Sequence, residues 1–164
     1  MQEFSVEQVL ESVLGDAQAV EKYLSFPSCL IDGAKLQMIG HHILDQDHKI
    51  IAAIANILDY AVRHAHPINQ PDRVFDTIAH FVYSHFGREE QILHSVRYPR
   101  ARQNANQHRY MAEKFGALRK QLHGQDHLPP HLAHDIVILL QTIVMHDPLS
   151  KDDDAQRYLK PRII

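Results

Sequence analysis

Histidine is the residue type that stands out in this chain, with 14 among 164 residues against a single cysteine. Histidine is the commonest metal ligand in proteins, and its side chain titrates nearest to neutral pH. Four histidines and one glutamate lie on the apolar faces of segments with helical periodicity: His48, His85, Glu89, His108 and His146. Imidazoles and a carboxylate, without thiolates, suit iron, manganese or zinc. The sequence therefore indicates a metal site.

The inward direction of these side chains follows from the spacing of their neighbours. One apolar face advances by 4, 3, 4, 4 and 3 positions, through Val74, Ile78, Phe81, His85, Glu89 and Ile92. The next face advances by 4, 3, 4, 3 and 4 positions, through Asn104, His108, Met111, Phe115, Leu118 and Leu122. A third face joins His48 to Ile51, Ala52, Ala55 and Leu58, and a fourth runs through Leu132, Ile136, Leu139, Ile143 and His146. Each of these four predicted helices thus has a histidine on its core side.

The elements that must position these residues are helices. Glycine and proline are scarce, at 6 and 8 residues, and apolar residues between the prolines recur at helical spacing, which predicts an all-α chain. The predicted helices are 6–24, which opens with the capping sequence Ser5-Val6-Glu7-Gln8, then 45–64, 71–96 (starting at Pro71 or Asp72), 99–123 and 130–146. Short connections favour an up-down-up-down four-helix bundle with an additional N-terminal helix. We expect one domain over 1–164, with 1–33 as the extra N-terminal segment and 34–164 as the bundle.

The four histidines are expected at one end of that bundle. His48 and His108 lie near the starts of their helices, and His85 and His146 lie near the ends of theirs. In an antiparallel bundle those starts adjoin those ends. Since one unpaired buried polar group costs on the order of 1 to 3 kcal/mol, four imidazoles and a carboxylate at one level require a common partner. A metal ion would be that partner, and a bridging carboxylate could hold two ions close together.

Two segments carry recognisable motifs. They are Gly40-His41-His42-Ile43-Leu44-Asp45-Gln46-Asp47-His48-Lys49, followed by Ile54-Ala55-Asn56-Ile57-Leu58, and His85-Phe86-Gly87-Arg88-Glu89-Glu90-Gln91-Ile92-Leu93, followed by Tyr98-Pro99. The first resembles the bacteriohemerythrin patterns G-x-x-x-I/L-D-x-Q/D-H-K and I-N-x-L, and the second resembles H-F-x-x-E-E-x-L-M and Y-P, over roughly 34–159. The resemblance implies a four-helix bundle with a non-haem di-iron centre that binds O₂ reversibly. It assigns His48 and His85 to one iron and makes Glu89 the bridge between the irons.

The second half of the family pattern is altered. Its HxxxH motif falls on Asn104 and His108, so that an amide stands where the first histidine is expected. Its HxxxxD motif fits His146, but the fifth position after it is Lys151, and Asp152 comes one residue later. A break at Pro148 could turn Asp152 or Asp153 inward. We therefore expect a second iron that is weakly bound or absent, in a metal site made of His48, His85, Glu89, His108, His146 and Asp152.

Composition excludes several classes of function. Seventeen Lys and Arg against twenty Asp and Glu give a formal charge of −3, and no basic cluster indicates nucleic-acid binding. The apolar stretch 136–145 is about half of the roughly 20 residues that a membrane span needs. The start of the sequence lacks the order of a signal peptide, and Cys29 has no second cysteine to pair with, which favours the cytoplasm. The N-terminal helix could bind a partner protein or a second copy of the chain.

Three functions remain open at this point. The first is an O₂-binding protein of the bacteriohemerythrin type, for storage, delivery or sensing of O₂ or another small diatomic molecule, and not an enzyme. The second is a degenerate bundle with one metal ion or none, acting as a regulatory or interaction module. The third is a di-iron site that reacts with peroxide or nitric oxide.

Overall fold

The computed structural model describes residues 4–159, apart from the side chains of Ser150, Lys151 and Asp153, and it confirms the all-α fold class. Its α-helices are α1 (Val6–Gly15), α2 (Ala17–Ser25), α3 (His42–Arg63), α4 (Pro71–Ser95), α5 (Ala101–Leu122), α6 (Pro130–Met145) and α7 (Asp153–Leu159). Short 3₁₀ turns occupy Gly33–Lys35 and Pro148–Lys151. Helices α3 to α6 form the bundle, and α1 and α2 pack against α3. None of the described helices is long and apolar enough to cross a membrane.

The predicted leading helix over 6–24 is divided into two. The chain becomes extended at Asp16, with φ −142° and ψ 117°, so α1 ends there. The Asp16 carboxylate then accepts a hydrogen bond of 2.9 Å from the backbone N–H of Gln18 and caps α2. A short acidic side chain that competes for backbone N–H groups favours such a cap over a helix interior, which explains the break.

The bundle helices begin and end within a few residues of their predicted bounds. Pro71 and Pro130 each occupy the first turn of a helix, where their missing N–H costs nothing. Helix α5 starts at Ala101 rather than at Pro99, because the backbone N–H of Ala101 first closes a turn onto the Tyr98 carbonyl at 3.2 Å. Helix α3 starts at His42, earlier than predicted, with His41 as its cap.

Helix α3 is the central helix of the fold. All eight residues from Ile51 to Leu58 are buried, so this stretch is covered on every side rather than along one stripe. Three of those residues are alanines, whose small side chains allow neighbouring helices to approach. One face of α3 therefore packs against the other bundle helices, and the opposite face packs against the N-terminal helices.

Asn56 fastens the N-terminal segment to α3. It is completely buried, and its Oδ1 accepts a hydrogen bond of 2.7 Å from the backbone N–H of Ile31. Its Nδ2 donates to the carbonyls of Tyr23 and Ile31, both at 2.8 Å. One amide thus satisfies three backbone groups of the incoming chain, which a buried apolar side chain could not do.

A second, smaller core closes one end of the bundle. It consists of Ile39, Leu44, Leu93, Tyr98, Leu149, Ala155 and Leu159. The 3₁₀ turn after α6 and helix α7 fold back onto this cluster. The Tyr98 hydroxyl donates a hydrogen bond to the Asp152 carboxylate, and Arg100 pairs with the same carboxylate. These contacts fix the C-terminal segment beside the end of the bundle that carries the histidines.

Candidate metal centre

Three helices bring the central donors together. His48 comes from the second turn of α3, His85 and Glu89 from the second half of α4, and His108 from the second turn of α5. One donor atom each from His48, His85 and Glu89 lie within 4.8 Å of one another. These three residues are 3%, 1% and 1% exposed. The antiparallel arrangement therefore collects these side chains at one level, where all three are buried.

The two oxygens of Glu89 face different imidazoles. Oε2 lies 3.2 Å from Nε2 of His85 and 4.0 Å from Nε2 of His48. Oε1 lies 3.3 Å from Nε2 of His108. One carboxylate consequently stands between a pair of histidines on one side and a single histidine on the other. This is the arrangement that a carboxylate shared by two adjacent cation positions requires.

The donor atoms themselves have no hydrogen-bond partners among the described residues. They are both nitrogens of His48, Nε2 of His85 and both oxygens of Glu89. Their contacts of 3.2 to 4.0 Å do not have hydrogen-bond angles. Buried polar groups are almost always paired, so a group of five unpaired atoms at one place is unusual. Two imidazoles and a carboxylate fit a divalent cation such as iron, manganese or zinc, and such a cation would pair all of them at once.

Asp147 is a member of the cluster that the sequence reasoning missed. It is 7% exposed, and its Oδ2 lies 3.3 Å from Nε2 of His48. Its Oδ1 accepts a hydrogen bond of 2.8 Å from the backbone N–H of Leu149, which fixes the carboxylate at the C-terminal end of α6. A signal was present in the sequence: a second apolar row advances by 4, 3, 4 and 3 positions through Ala133, Val137, Leu140, Val144 and Asp147, and all five residues are buried.

The positions of His146 and Asp152 follow from the orientation of α6. Since that buried row passes through Asp147, the neighbouring His146 is exposed and lies on the wall of the adjoining cavity. The structure does not bring Asp152 to the cluster, because its carboxylate is bound by Tyr98 and Arg100. The side chains of Lys151 and Asp153 lie outside the described residues. Counting back five positions from Asp147 leads to Thr142, which stands where the HxxxxD motif has its histidine.

Carboxylates outside the cluster orient two of the imidazoles. Asp47 Oδ2 lies 3.0 Å from Nδ1 of His85, and Arg88 holds the same carboxylate through two hydrogen bonds of 2.9 and 3.0 Å. Glu90 Oε1 lies 2.8 Å from Nδ1 of His108. In each ring Nδ1 is thereby engaged, and Nε2 is left to face Glu89. A carboxylate behind a histidine fixes the ring and raises its basicity as a ligand.

The charges in the cluster shift its titration strongly. Burial alone would lower the pKa of His85, but the carboxylates of Asp47 and Glu89 beside its ring outweigh burial and raise that pKa to about 9. For Glu89 burial acts to raise the pKa, yet the imidazoles of His108 and His85 beside its two oxygens bring that pKa well below the ordinary range. The pKa of His108 is raised by Glu89 and Glu90 against its own burial. Without a metal ion, protons on the imidazoles therefore balance the charge of Glu89.

The side of the cluster near His108 is poor in donors. Asn104, one turn earlier on α5, is 6% exposed, and its Oδ1 has no hydrogen-bond partner among the described residues. The Thr142 hydroxyl donates to the carbonyl of Ile138 at 2.7 Å within its own helix. An amide and a hydroxyl are much weaker ligands for iron than imidazoles. A cavity of about 310 Å³ opens beside these residues.

Comparison with known proteins agrees with the geometry. The family model described as the hemerythrin HHE cation-binding domain matches residues 39–146, which is more than half of the chain. The matched region contains the four bundle helices and ends one residue before Asp147. A search of curated proteins gave no match.

Proposed function

The chain belongs to the hemerythrin HHE cation-binding domain family, and from this we propose that it is a non-haem iron protein that binds O₂ or another small diatomic molecule reversibly. The observation that carries the proposal is the placement of Glu89, whose two oxygens face His85 and His108 at 3.2 and 3.3 Å. Bound iron would supply a redox-active cation able to bind a diatomic molecule. The residues of the chain supply the donors, exclude water and orient the rings.

We assign unequal roles to the two sides of Glu89. His48, His85, Glu89 and Asp147 offer two imidazoles and two carboxylates for one iron, and each of them is less than a tenth exposed. The other side offers Glu89 and His108 with the amide of Asn104. Rotation of the exposed His146 side chain into the cavity would add a second imidazole there. We therefore propose one tightly bound iron per chain and a second cation that is weakly bound or absent.

Elemental analysis and spectroscopy test this function together. Protein purified without added metal should contain about one iron per chain, and its visible spectrum should change on exposure to air and return when O₂ is removed. His85→Ala should lose the iron, while His80→Ala, an exposed histidine on the same helix, should keep it. A chain without iron that gains none on anaerobic addition of Fe(II) would contradict the proposal and favour a regulatory or interaction module.

A second candidate function is reaction with peroxide or nitric oxide. It is favoured by the small number of strong donors around Asn104 and Thr142 and by the adjoining cavity, because an incompletely ligated iron leaves positions for a reactant. Consumption of added peroxide by the iron-loaded chain, at many equivalents per iron, would support this alternative over reversible binding.

A further inference from the structure

Arg88 connects the buried histidine cluster to the protein surface. Its Nε lies 2.9 Å from Oδ2 of Asp47 and its Nη2 lies 3.0 Å from Oδ1, so the guanidinium binds the carboxylate through two parallel hydrogen bonds. The guanidinium also lies over the Phe81 ring, 5.5 Å from its centroid. The Arg88 side chain is 37% exposed, whereas that of Asp47 is 9% exposed. A positive charge is therefore fixed at the edge of a buried group of donors.

Oδ2 of Asp47 accepts from two donors. It accepts the Arg88 Nε bond, and it lies 3.0 Å from Nδ1 of His85. With a cation on Nε2, Nδ1 of that ring carries the proton and donates it to Asp47. An oxygen that already binds a guanidinium has less negative charge to offer, so Arg88 weakens the attraction of Asp47 for the His85 proton. The His85 ring consequently donates less electron density through Nε2 than it would beside an unpaired carboxylate.

The carboxylate behind the His108 ring is bound differently. Glu90 Oε1 lies 2.8 Å from Nδ1 of His108, and in the described part of the chain no lysine or arginine pairs with Glu90. Both imidazoles thus have a carboxylate behind them, but only the carboxylate behind His85 is partly neutralised by a described arginine. The two sides of Glu89 therefore differ in charge as well as in the number of donors.

The effect of Arg88 on bound iron has a definite direction. Fe(III) carries one more positive charge than Fe(II), so it gains more from a strongly donating ligand and loses more from a nearby cation. Hydrogen bonds to the ligands are one of the means by which proteins set the reduction potential of iron. The charge of Arg88 and its bond to Asp47 both act against Fe(III). They therefore favour the reduced state, which is the state that binds O₂.

From these contacts we propose that Arg88 is a positioning residue that raises the reduction potential of the iron held by His48 and His85. It does so by fixing Asp47 behind the His85 ring and by partly neutralising that carboxylate. The proposal rests on the proposed function, because it concerns iron at that position. Arg88 acts through Asp47, so its role is distinct from that of the residues that supply donor atoms.

The reduction potential separates this role from a purely structural one. The full chain is loaded with one equivalent of iron and titrated from Fe(III) to Fe(II) with a chemical reductant, which supplies one electron per iron, in the presence of redox dyes. Arg88→Gln should lower the potential, with a roughly tenfold rise in the Fe(III)/Fe(II) ratio at fixed potential, which is about 59 mV for one electron. Arg88→Lys keeps the charge and should lie between Arg88→Gln and the wild type. An unchanged or higher potential in Arg88→Gln would overturn the proposal.

Arg119 provides a matched control. It binds Asp76 of α4 through two hydrogen bonds of 2.8 and 3.2 Å, and its side chain is 31% exposed, but it lies in the last turn of α5, far along that helix from His108. Arg119→Gln therefore removes the same charge and the same kind of pair, and it should leave the potential unchanged. In an Asp47→Asn background, Arg88→Gln should change the potential much less than in the wild type. An equal change in both backgrounds would contradict the proposal.

A measurement without iron gives an independent arm. In the full chain loaded with Zn(II), the Nδ1 proton of His85 is observed by proton NMR. It should move downfield in Arg88→Gln, since Asp47 then accepts more strongly, and it should keep its position in Arg119→Gln. No movement in Arg88→Gln would contradict the proposal. Wild-type protein that takes up no iron would instead contradict the proposed function, so the two can fail independently.

Discussion

Asp147 Oδ2 lies 3.3 Å from Nε2 of His48, which joins the C-terminal end of α6 to the start of α3. The contact also places a carboxylate closer to the His48 ring than Glu89, whose Oε2 lies 4.0 Å from Nε2. Removal of Asp147 or of His48 should therefore weaken cation binding on the His48 side of Glu89 more than on the His108 side.

Asp147→Asn should lower the affinity for the first iron. The variant keeps the shape of the side chain but removes one of two carboxylates, so the loss should exceed the roughly 10- to 100-fold that is typical for an outer partner of a ligand. The measurement is competition with a chelator during anaerobic Fe(II) titration. Asp152→Asn is the matched control, since the Asp152 carboxylate binds Tyr98 and Arg100. The iron affinity of this variant should stay near that of the wild type. The reverse ranking would indicate that Asp152, and not Asp147, is the metal ligand.

Asn104→His should raise the occupancy of the second position. The substitution provides an imidazole one turn before His108, on the buried face of α5. Titration of metal-free protein with Fe(II) should show one tight ion in the wild type and a second, tighter ion in the variant. Two equally tight ions in the wild type would mean that another residue, such as His146, already completes that position.

The metal-free protein should lose stability as the pH rises from about 6.5 to about 9. The pKa of His85 is raised from its ordinary value of 6.5 to about 9, so its proton stabilises the fold fully below the lower value and is lost through the upper one. A bound cation displaces that proton, so the apparent metal affinity should increase over the same range. Denaturant unfolding of metal-free and Zn(II)-loaded protein at several pH values is the measurement. A metal-free stability that stays level, or rises, between these pH values would contradict the expected sign.

Asn56→Ala should destabilise the protein without changing its metal content. The substitution leaves three buried backbone groups of Tyr23 and Ile31 unpaired, and the expected cost in free energy of unfolding is about 3 kcal/mol. Asn106→Ala is the control, because Asn106 is exposed and accepts one hydrogen bond from Arg109. A loss this large would support the prediction that 1–33 and 34–164 form one domain, whereas a negligible loss would show that the N-terminal segment is energetically separate.

The helices could be predicted from the sequence because their spacing is a local property. On α5 the predicted buried face coincides with the observed one, including Asn104 and His108. On α6 the prediction followed the row that ends at His146, while packing against α3 buries the adjacent row that ends at Asp147. The wide apolar face of α6 allows either rotation, so only the tertiary contacts decide between them. The partners behind the histidines, Asp47 and Glu90, also depend on rotations that periodicity does not specify.

The order of the donors along the chain has a consequence for biogenesis. His48, His85 and Glu89 leave the ribosome first, and Asp147 follows only after α5 and all of α6 have been made. A nascent chain thus displays imidazoles without the carboxylate that completes the tighter position. Metal captured at that stage would be held by fewer groups than in the finished protein, so the tighter position cannot form until the chain has been made as far as Asp147.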